Sequence, residues 1–442
     1  MMYIREPALT DKQDKPQLWK NILLCGILFV LIVCRGVNSV FVYFVAIISS
    51  LVFITASEGE CVLFLVFLSP FSMVLKTAVG GMTFYNYFLF LVLLRVFFSV
   101  GFVEKEFIIP LLIFLGYCFV FSGISRISII ITITVWLLLV YSLNKLKLNT
   151  EWVIWAYCGG LCLSSLIGLV RDRLPLINTF LSIEQLKLAE QTYAERFSGL
   201  QPNPNYLSLD ITVAMSCLIA LVLIRKAKII DWLFLIVLFA FGLMTISQSF
   251  LVGMVPLLLL WVFYSSKRDI RKSIKIILFI SLFGLIIYFF GQKYIELFLF
   301  RINQRQGESL SKVTTGRSDI WLEYLQAIIS SPKTLLVGNG FNSLVESGHG
   351  AHNTYLELIF SLGLCGCTIY LLLIFKCLNK AVSIDVLRIP FIVLLIRLFA
   401  ITITTWDNIW IYFILFVCIA NYEVSEDEKK TGTQKFVCKY LK

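Results

Sequence analysis

Residues 107–122 read FIIPLLIFLGYCFVFS, a run without a charged side chain. The apolar residues follow one another without the alternation of apolar and polar positions that marks the strands of an outer-membrane barrel. A helix of about 20 apolar residues crosses the hydrocarbon core of a bilayer. Within that core, only helices and closed barrels satisfy the backbone hydrogen bonds. The stretch therefore predicts a transmembrane helix.

Similar runs recur along the chain, and we predict roughly fourteen spanning helices from their length and hydropathy. Apolar residues make up 59% of the 442 residues and charged residues 15%, whereas soluble domains carry about 25% charged residues. The fold class is therefore an all-α polytopic membrane protein. The predicted spans are 19–34, 37–55, 60–75, 84–100, 107–122, 127–143, 152–170, 206–224, 230–247, 250–264, 274–290, 353–375, 385–403 and 407–421.

Lysine and arginine are concentrated in alternate connections between these spans, as the positive-inside rule requires. With the N-terminus in the cytoplasm, the short outside connections hold only Arg35, Lys76 and Arg126. We therefore predict that residues 1–18 and the tail 422–442 are both cytoplasmic. This topology also accounts for the net charge of +11, so no nucleic-acid partner is predicted. The inside connections carry Lys145, Lys147, Arg225, Lys226, Lys228, Lys267, Arg268, Arg271, Lys272, Lys275, Lys376, Lys380 and Arg388.

Two long polar segments, 171–205 and 291–352, fall outside the membrane in this topology. They separate three blocks of spanning helices at 19–170, 206–290 and 353–421. Within the second segment, residues 317–330 predict an amphipathic helix that lies against the membrane or over a cavity. Pro332 is expected to end that helix, and a turn is expected at 338–340. The apolar face of the helix consists of Ile320, Trp321, Tyr324, Leu325 and Ile328.

A few ionisable residues stand apart as candidates for chemistry. The chain has two histidines, His349 and His352, where the second long segment meets the next span. A histidine at that depth is either an interfacial polar residue or a reactive group, and no ligand pattern completes a zinc site around the pair. Arginines inside spans are functional candidates by default. Arg95 lies near a cytoplasmic end, where it can snorkel, and Arg397 lies deeper. The acidic candidates near the outside face are Asp210, Asp319 and Glu357, of which Asp319 suits the first turn of its helix.

Three short motifs occur in order in the two outside segments. The first is Arg196-x-x-Gly199 followed by Asn203-Pro204-Asn205, and the second is Gly316-Arg317 with Trp321 and then Gly338-x-Gly340. The third is His352-Asn353, nine residues, and then Gly363-x-x-Gly366. In these motifs, over about residues 193–375, the chain resembles the O-antigen polymerase and O-antigen ligase superfamily of bacterial envelope enzymes. It departs from that family at Ser247-Gln248-Ser249-Phe250, where many members have an arginine in the last position.

The resemblance implies a GT-C-like, inverting transferase that needs no metal or other cofactor and acts on an undecaprenyl-pyrophosphate-linked glycan. Arg196 and Arg317 would stabilise the pyrophosphate, because an arginine fork pairs two phosphate oxygens. His352 would take or direct the proton of the acceptor hydroxyl. We place Asn205, Arg397 and Asn353 in contact with substrate, although the position of Asn353 favours a helix cap. Gly363 and Gly366 are interpreted as structural, since they let neighbouring elements approach closely.

Three functions stay open at this point. A polymerase, which we favour, would move the growing glycan onto the next lipid-linked repeat unit, whereas a ligase would move it to lipid A-core or to a protein. The non-enzyme alternative is a flippase or other transporter of lipid-linked glycans, in which inverted repeats are common. The expected location is the bacterial inner membrane, with the site on the periplasmic or extracellular face. A chain-length regulator and a flippase are the expected partners of a polymerase.

Overall fold

The computed structural model describes residues 55–72, 84–101, 103–123, 126–170, 185–189, 192–268, 270–290, 292–303, 317–403 and 407–431, with Gly26, Ile47, Ser50 and Leu51 as isolated positions. The first two predicted spans, 19–34 and 37–55, lie almost entirely outside these residues. Gly316 of the second motif lies outside them as well.

The regular secondary structure of the described residues is helical apart from one β-hairpin. Among the predicted boundaries, 84–100 and 127–143 are confirmed to the residue. The helices are α1 (Glu58–Leu68), α2 (Phe84–Val100), α3 (Lys105–Ser122), α4 (Ile127–Leu143), α5 (Thr150–Leu169), α6 (Pro204–Ile224), α7 (Ile229–Met244), α8 (Gln248–Arg268), α9 (Ile270–Phe290), α10 (Gln292–Asn303), α11 (Arg317–Ile329), α12 (Pro332–Val337), α13 (Thr354–Ser383), α14 (Arg388–Leu398) and α15 (Asn408–Thr431). The hairpin strands are β1 (Gln185–Ala189) and β2 (Thr192–Glu195), which pair antiparallel.

Apolar helices long enough to cross a membrane occur along much of the described chain. By length and composition there are five of them, namely α3, α5, α6, α8 and α13. Shorter apolar helices include α4 and α7. These helices indicate a membrane-embedded protein. The predicted span 385–403 is shorter than expected, because α14 ends at Leu398 and an irregular segment follows it.

Helix α6 forms the centre of the bundle. Every residue from Leu207 to Leu221 is buried, and α5, α7, α8, α14 and α15 all pack against the helix. A helix that is apolar on every side belongs in such an interior position. The helix begins at the Asn-Pro-Asn motif, where the Asn203 side chain accepts a hydrogen bond from the backbone N–H of Asn205 and Pro204 occupies the first turn. The central helix thus places this motif at one end of the bundle.

Helix α13 is interrupted at Gly363, which has φ 59° and ψ −179°. The interruption frees carbonyls of the preceding turn, and loop residues after α12 satisfy them. The backbone N–H of Asn339 donates to Phe360 O at 2.9 Å, and that of Gly340 donates to Ser361 O at 2.8 Å. A Cβ on Gly363 would lie 2.4 Å from the carbonyl carbon of Leu336. The two glycine motifs therefore pack backbone against backbone.

Gly366 has a comparable role one turn later. A Cβ at this position would lie 2.5 Å from the ring of Tyr117, which belongs to α3. The Tyr117 hydroxyl lies 2.7 Å from Leu362 O and 2.8 Å from Val337 O, so it bridges the interruption. The predicted structural role of Gly363 and Gly366 is confirmed by these contacts.

The second long segment contains the predicted helix, with two differences. Tyr324 and Ile328 of α11 are buried, whereas Leu325 is 40% exposed and does not belong to the packed face. Pro332 does not simply end α11: it opens α12, with Ser331 as the N-cap. Proline suits the first position of a helix because a backbone N–H at that position would have no acceptor within the helix.

We expect Gly363→Ala to destabilise the protein by about 2–4 kcal/mol, because the substitution adds a backbone clash and forces a left-handed conformation on alanine. The matched control is Gly116→Ala in α3, where a Cβ meets nothing within 4 Å; this change should be neutral or stabilising by about 0.5–1 kcal/mol. Thermal unfolding in detergent measures both. Equal midpoints for the two variants would contradict the described packing.

Candidate functional site

The segment after α14, residues 399–403, brings the three motifs together. Three successive carbonyls of this segment accept hydrogen bonds from side chains that lie within or next to the motifs. Arg317 Nη1 donates to Ala400 O at 3.0 Å, Thr354 Oγ1 donates to Ile401 O at 2.6 Å, and the Tyr206 hydroxyl donates to Thr402 O at 3.0 Å. Tyr206 follows the Asn-Pro-Asn motif and Thr354 follows His352-Asn353, so residues about 200 positions apart meet in one place.

Arg196 of the first motif is buried. Its Nη2 donates to Asn205 Oδ1 at 3.3 Å, within the same motif region. The hydroxyl of Ser247 donates to the same amide oxygen at 2.7 Å, and Ser249 Oγ lies 2.7 Å from Ser247 Oγ. The side chain of Asn205 thereby joins Arg196 to the loop between α7 and α8.

Arg397 contacts the backbone carbonyl of Asn205, whereas Arg196 contacts its side-chain oxygen. The guanidinium group is 1% exposed, and its Nη2 donates to Asn205 O at 3.2 Å and to Ser208 Oγ at 2.7 Å. A Cβ at Gly253 of α8 would lie 2.8 Å from Arg397 Cδ, so glycine makes the space that this side chain occupies. The predicted site residues Arg196, Asn205 and Arg397 therefore belong to one hydrogen-bonded cluster.

Sequence reasoning missed the role of Ser247 and Ser249 and noted only that the following residue is not arginine. The preceding residue, Ile246, has φ 47°. A β-branched residue in the left-handed region is a genuine outlier, and such strain is concentrated at functional sites. The hydrophobic periodicity of the sequence carries no signal for a left-handed backbone at Ile246. The strained backbone at Ile246 turns the chain so that Ser247 faces Asn205.

His352 also has a left-handed backbone, with φ 48°. The imidazole is open to solvent at one side, yet the protein around it lowers its pKa below the ordinary value of 6.5. The main cause is desolvation, and the positive charges of Arg317 and His349 add to it. A lowered pKa keeps the ring neutral near pH 7, which is the form that accepts a proton. The Arg317 charge thus lies close enough to His352 to tune it.

The loop that carries His352 is held by α11. Trp321 Nε1 donates to Ala351 O at 2.9 Å, and the Tyr324 hydroxyl donates to His349 O at 3.1 Å. The motif tryptophan therefore has a structural explanation: it fixes the backbone immediately before the histidine. Helix α11 consequently presents Arg317 at its first turn and supports His352 from its middle.

Asn353 caps α13. Its Oδ1 accepts hydrogen bonds from the backbone N–H groups of Tyr355 at 3.0 Å and Leu356 at 3.2 Å, and the side chain is buried. The capping interpretation of this residue is confirmed. Its predicted contact with substrate stays a prediction.

The remaining ionisable candidates are one arginine and three acidic residues. Arg95 lies away from the motifs: its Nε is 3.4 Å from Glu58 Oε1, and the side chain is 42% exposed, so it forms a surface ion pair between α2 and α1. Asp319 occupies the first turn of α11, as predicted, and Glu357 is buried in the first turn of α13. Asp210 is buried in α6, where it accepts hydrogen bonds from Gln201, Asn408 and Tyr412.

Comparison of the chain with known proteins gave no match to a protein-family model and none to a curated protein. Buried and half-buried guanidinium groups beside a neutral imidazole suit a reaction in which negative charge develops on one group while a proton leaves another. Arginine forks pair bidentately with the oxygens of phosphates and of carboxylates.

We expect the pKa of His352 to lie below 6.5 and to rise toward 6.5 in Arg317→Gln, because that substitution removes a neighbouring positive charge. Nuclear magnetic resonance titration of labelled histidine measures this directly, since the chain contains only two histidines. His349→Gln assigns the remaining signal. A His352 pKa that does not move in Arg317→Gln would show that the two groups do not interact.

We expect Asn353→Ala to destabilise the protein by about 1 kcal/mol through loss of the cap, and Asn353→Ser to restore most of that stability. If Asn353 acts only as a cap, the serine variant also keeps full activity. Thermal midpoints and activity assays of both variants separate the two roles. A stable serine variant with little activity would establish a second role in substrate binding.

Proposed function

We propose that this protein is a membrane-embedded glycosyltransferase of the O-antigen polymerase and ligase kind, with an undecaprenyl-pyrophosphate-linked oligosaccharide as donor. One observation carries the proposal. Three side chains that lie within or next to the three motifs, Arg317, Tyr206 and Thr354, donate hydrogen bonds to successive carbonyls at 400–402. Arg196 bonds to Asn205, the neighbour of Tyr206, and the charge of Arg317 acts on His352, two residues before Thr354. A meeting of this kind supports a shared site, because residues that only stabilised separate loops would have no reason to converge.

In the proposed reaction, the hydroxyl oxygen of an acceptor sugar attacks the anomeric carbon of the donor glycan. The bond between that carbon and the pyrophosphate oxygen breaks, and the lipid pyrophosphate leaves with the bonding electrons. His352 takes the hydroxyl proton. Arg196 and Arg317 meet the negative charge that builds up on the departing pyrophosphate and so lower the barrier. Direct displacement inverts the configuration of the anomeric carbon.

The orientation of α6 supports a site on the outer face of the membrane. Asn205 lies at the site end of this helix, and the basic residues Arg225, Lys226 and Lys228 follow its other end. A helix of 21 residues is about 30 Å long, which matches the hydrocarbon thickness of a bilayer. Because basic connections face the cytoplasm, the site faces the other side.

The finer topology belongs to the same proposal. It comprises about fourteen spans in a GT-C-like arrangement, with both termini in the cytoplasm and the chain in a bacterial inner membrane. A polymerase that acts there on lipid-linked repeat units would work with a flippase, which supplies the units, and with a regulator of chain length.

Polymerase is the function that we favour, and the ligase and transporter alternatives are outcomes of the same experiment. Interrupted membrane helices are typical of transporters, in which unwound backbone lines a substrate cavity. The interruption of α13 differs in this respect, because Asn339 and Gly340 bond the carbonyls before it. Those carbonyls are engaged by the protein itself, which favours a structural role for the interruption.

The test is reconstitution of the purified protein with undecaprenyl-pyrophosphate-linked repeat units alone. We expect a ladder of lipid-linked oligomers on a gel, reduced by about 10²–10⁴ in rate for His352→Ala through loss of the base. The matched control is His349→Ala, which removes the other histidine and should keep most activity. Arg317→Lys tests whether the two-pronged guanidinium group is needed. Lysine keeps the charge but pairs less well with phosphate oxygens, so we expect the rate to fall about tenfold or more.

Products that form only after lipid A-core or a protein acceptor is added would identify a ligase. No product with any acceptor, together with movement of the lipid-linked units across the membrane, would identify a transporter. Full activity of His352→Ala would exclude the proposed catalytic role of that residue.

A further inference from the structure

Arg397 is a buried cation whose charge is not paired. Among the described residues, no carboxylate forms a salt bridge with Arg397, and its Nε and Nη1 atoms have no hydrogen-bond partner. Only Nη2 is engaged, by Asn205 O and Ser208 Oγ. The nearby carboxylate of Asp210 is bonded instead to Gln201, Asn408 and Tyr412.

Such an arrangement is unfavourable for folding. A charge removed from water loses its solvation, and donors left without acceptors lose their hydrogen bonds with water. Replacement of a buried ionic group by an apolar side chain of similar size is often neutral or stabilising for this reason. A protein that retains such a residue does so at the expense of stability. Groups of this type are typical of sites where function requires the charge.

The contacts of Arg397 indicate what the charge does. Asn205 accepts from Arg397 through its backbone carbonyl and from Arg196 through its side-chain oxygen. One asparagine therefore connects the two guanidinium groups and fixes the distance between them. Arg317 donates to the carbonyl of Ala400, three residues after Arg397, and its charge interacts with that of Arg397.

The like charges of Arg397 and Arg317 repel each other. Bound anionic oxygens would relieve this repulsion, and the relief adds to the attraction that each arginine provides. A pyrophosphate is the anion that the proposed function brings to this place.

We propose that Arg397 is a positioning residue that orients Arg196 through Asn205 and supplies the buried positive charge that strengthens binding of the donor's pyrophosphate. The inference rests on the proposed function. It differs from a direct contact between Arg397 and substrate, since the residue is buried and bonded to Asn205, and acts through that residue and through its charge.

The decisive variant is Arg397→Met, which preserves the approximate length of the side chain and removes the charge. We expect its thermal midpoint in detergent to stay unchanged or to rise, because an unpaired buried charge is lost. The KM for the lipid-linked donor should rise about tenfold and kcat should fall about 10²-fold, since a positioned cation is missing as charge develops. Arg397→Lys, which restores the charge, should recover at least about a tenth of the lost activity.

The matched control is Arg95→Met, which removes an arginine from another apolar helix. Its half-exposed ion pair with Glu58 contributes little, so activity should stay within about twofold of the wild type. The double variant Asn205→Ala with Arg397→Met tests the connection between the two residues. If Arg397 acts through Asn205, the activity of the double variant should be about that of the less active single variant, because both changes disturb one unit.

Binding of glycan-free undecaprenyl pyrophosphate, measured as thermal stabilisation in detergent, provides a readout that does not depend on transfer. We expect the lipid to raise the thermal midpoint of the wild type. Arg397→Met should need a lipid concentration at least about tenfold higher for the same rise. Arg397→Met that unfolds well below the wild type would show a structural role and overturn the inference. Unchanged donor KM and lipid binding in that variant would overturn it as well, while leaving the proposed function intact. A wild type that binds the lipid but transfers no glycan would contradict the proposed function alone.

Discussion

The arrangement of this protein depends on how the backbone is satisfied after α14. Backbone carbonyls outside helices and strands need hydrogen-bond partners, and in apolar surroundings the protein itself must supply them. In the following segment, Ala400, Ile401 and Thr402 instead accept from Arg317, Thr354 and Tyr206, and each donor comes from a different part of the chain. The need to satisfy these carbonyls draws the start of α6, the start of α11 and the start of α13 to one place. The candidate site is formed where these three starts meet.

The site combines features that folding alone does not favour. His352 and Ile246 have left-handed backbones although neither is glycine, and Arg397 is a buried cation that forms no salt bridge with any residue that the structure describes. The surroundings accommodate two of these features: α11 supports the loop of His352, and Gly253 leaves space for the side chain of Arg397. Concentration of strain and charge in one region, inside an otherwise apolar bundle, is the pattern expected of a functional site.

Local signals in the sequence predicted the helices well where hydropathy alone decides. The bounds of α2 and α4 matched, since a helix in the membrane begins and ends where apolar residues do. Errors arose where tertiary contacts compete with local preference. Pro332 starts a helix, because Ser331 supplies a cap, and Leu325 is exposed, because α11 packs through Tyr324 and Ile328. The β-hairpin at 185–195 was not predicted, since strands this short carry little periodicity.

The sequence by itself determined the class of protein, the apolar helices and the residues of the three motifs, because each of these is written in composition or in spacing along the chain. Only the tertiary structure decided that Asn205 stands between Arg196 and Arg397, that Ser247 joins them, and that Gly338 packs on the interrupted turn before Gly363. Arg397 and Asn205 are 192 positions apart. A hydrogen bond across that separation is specified by how helices pack, and no local pattern encodes it.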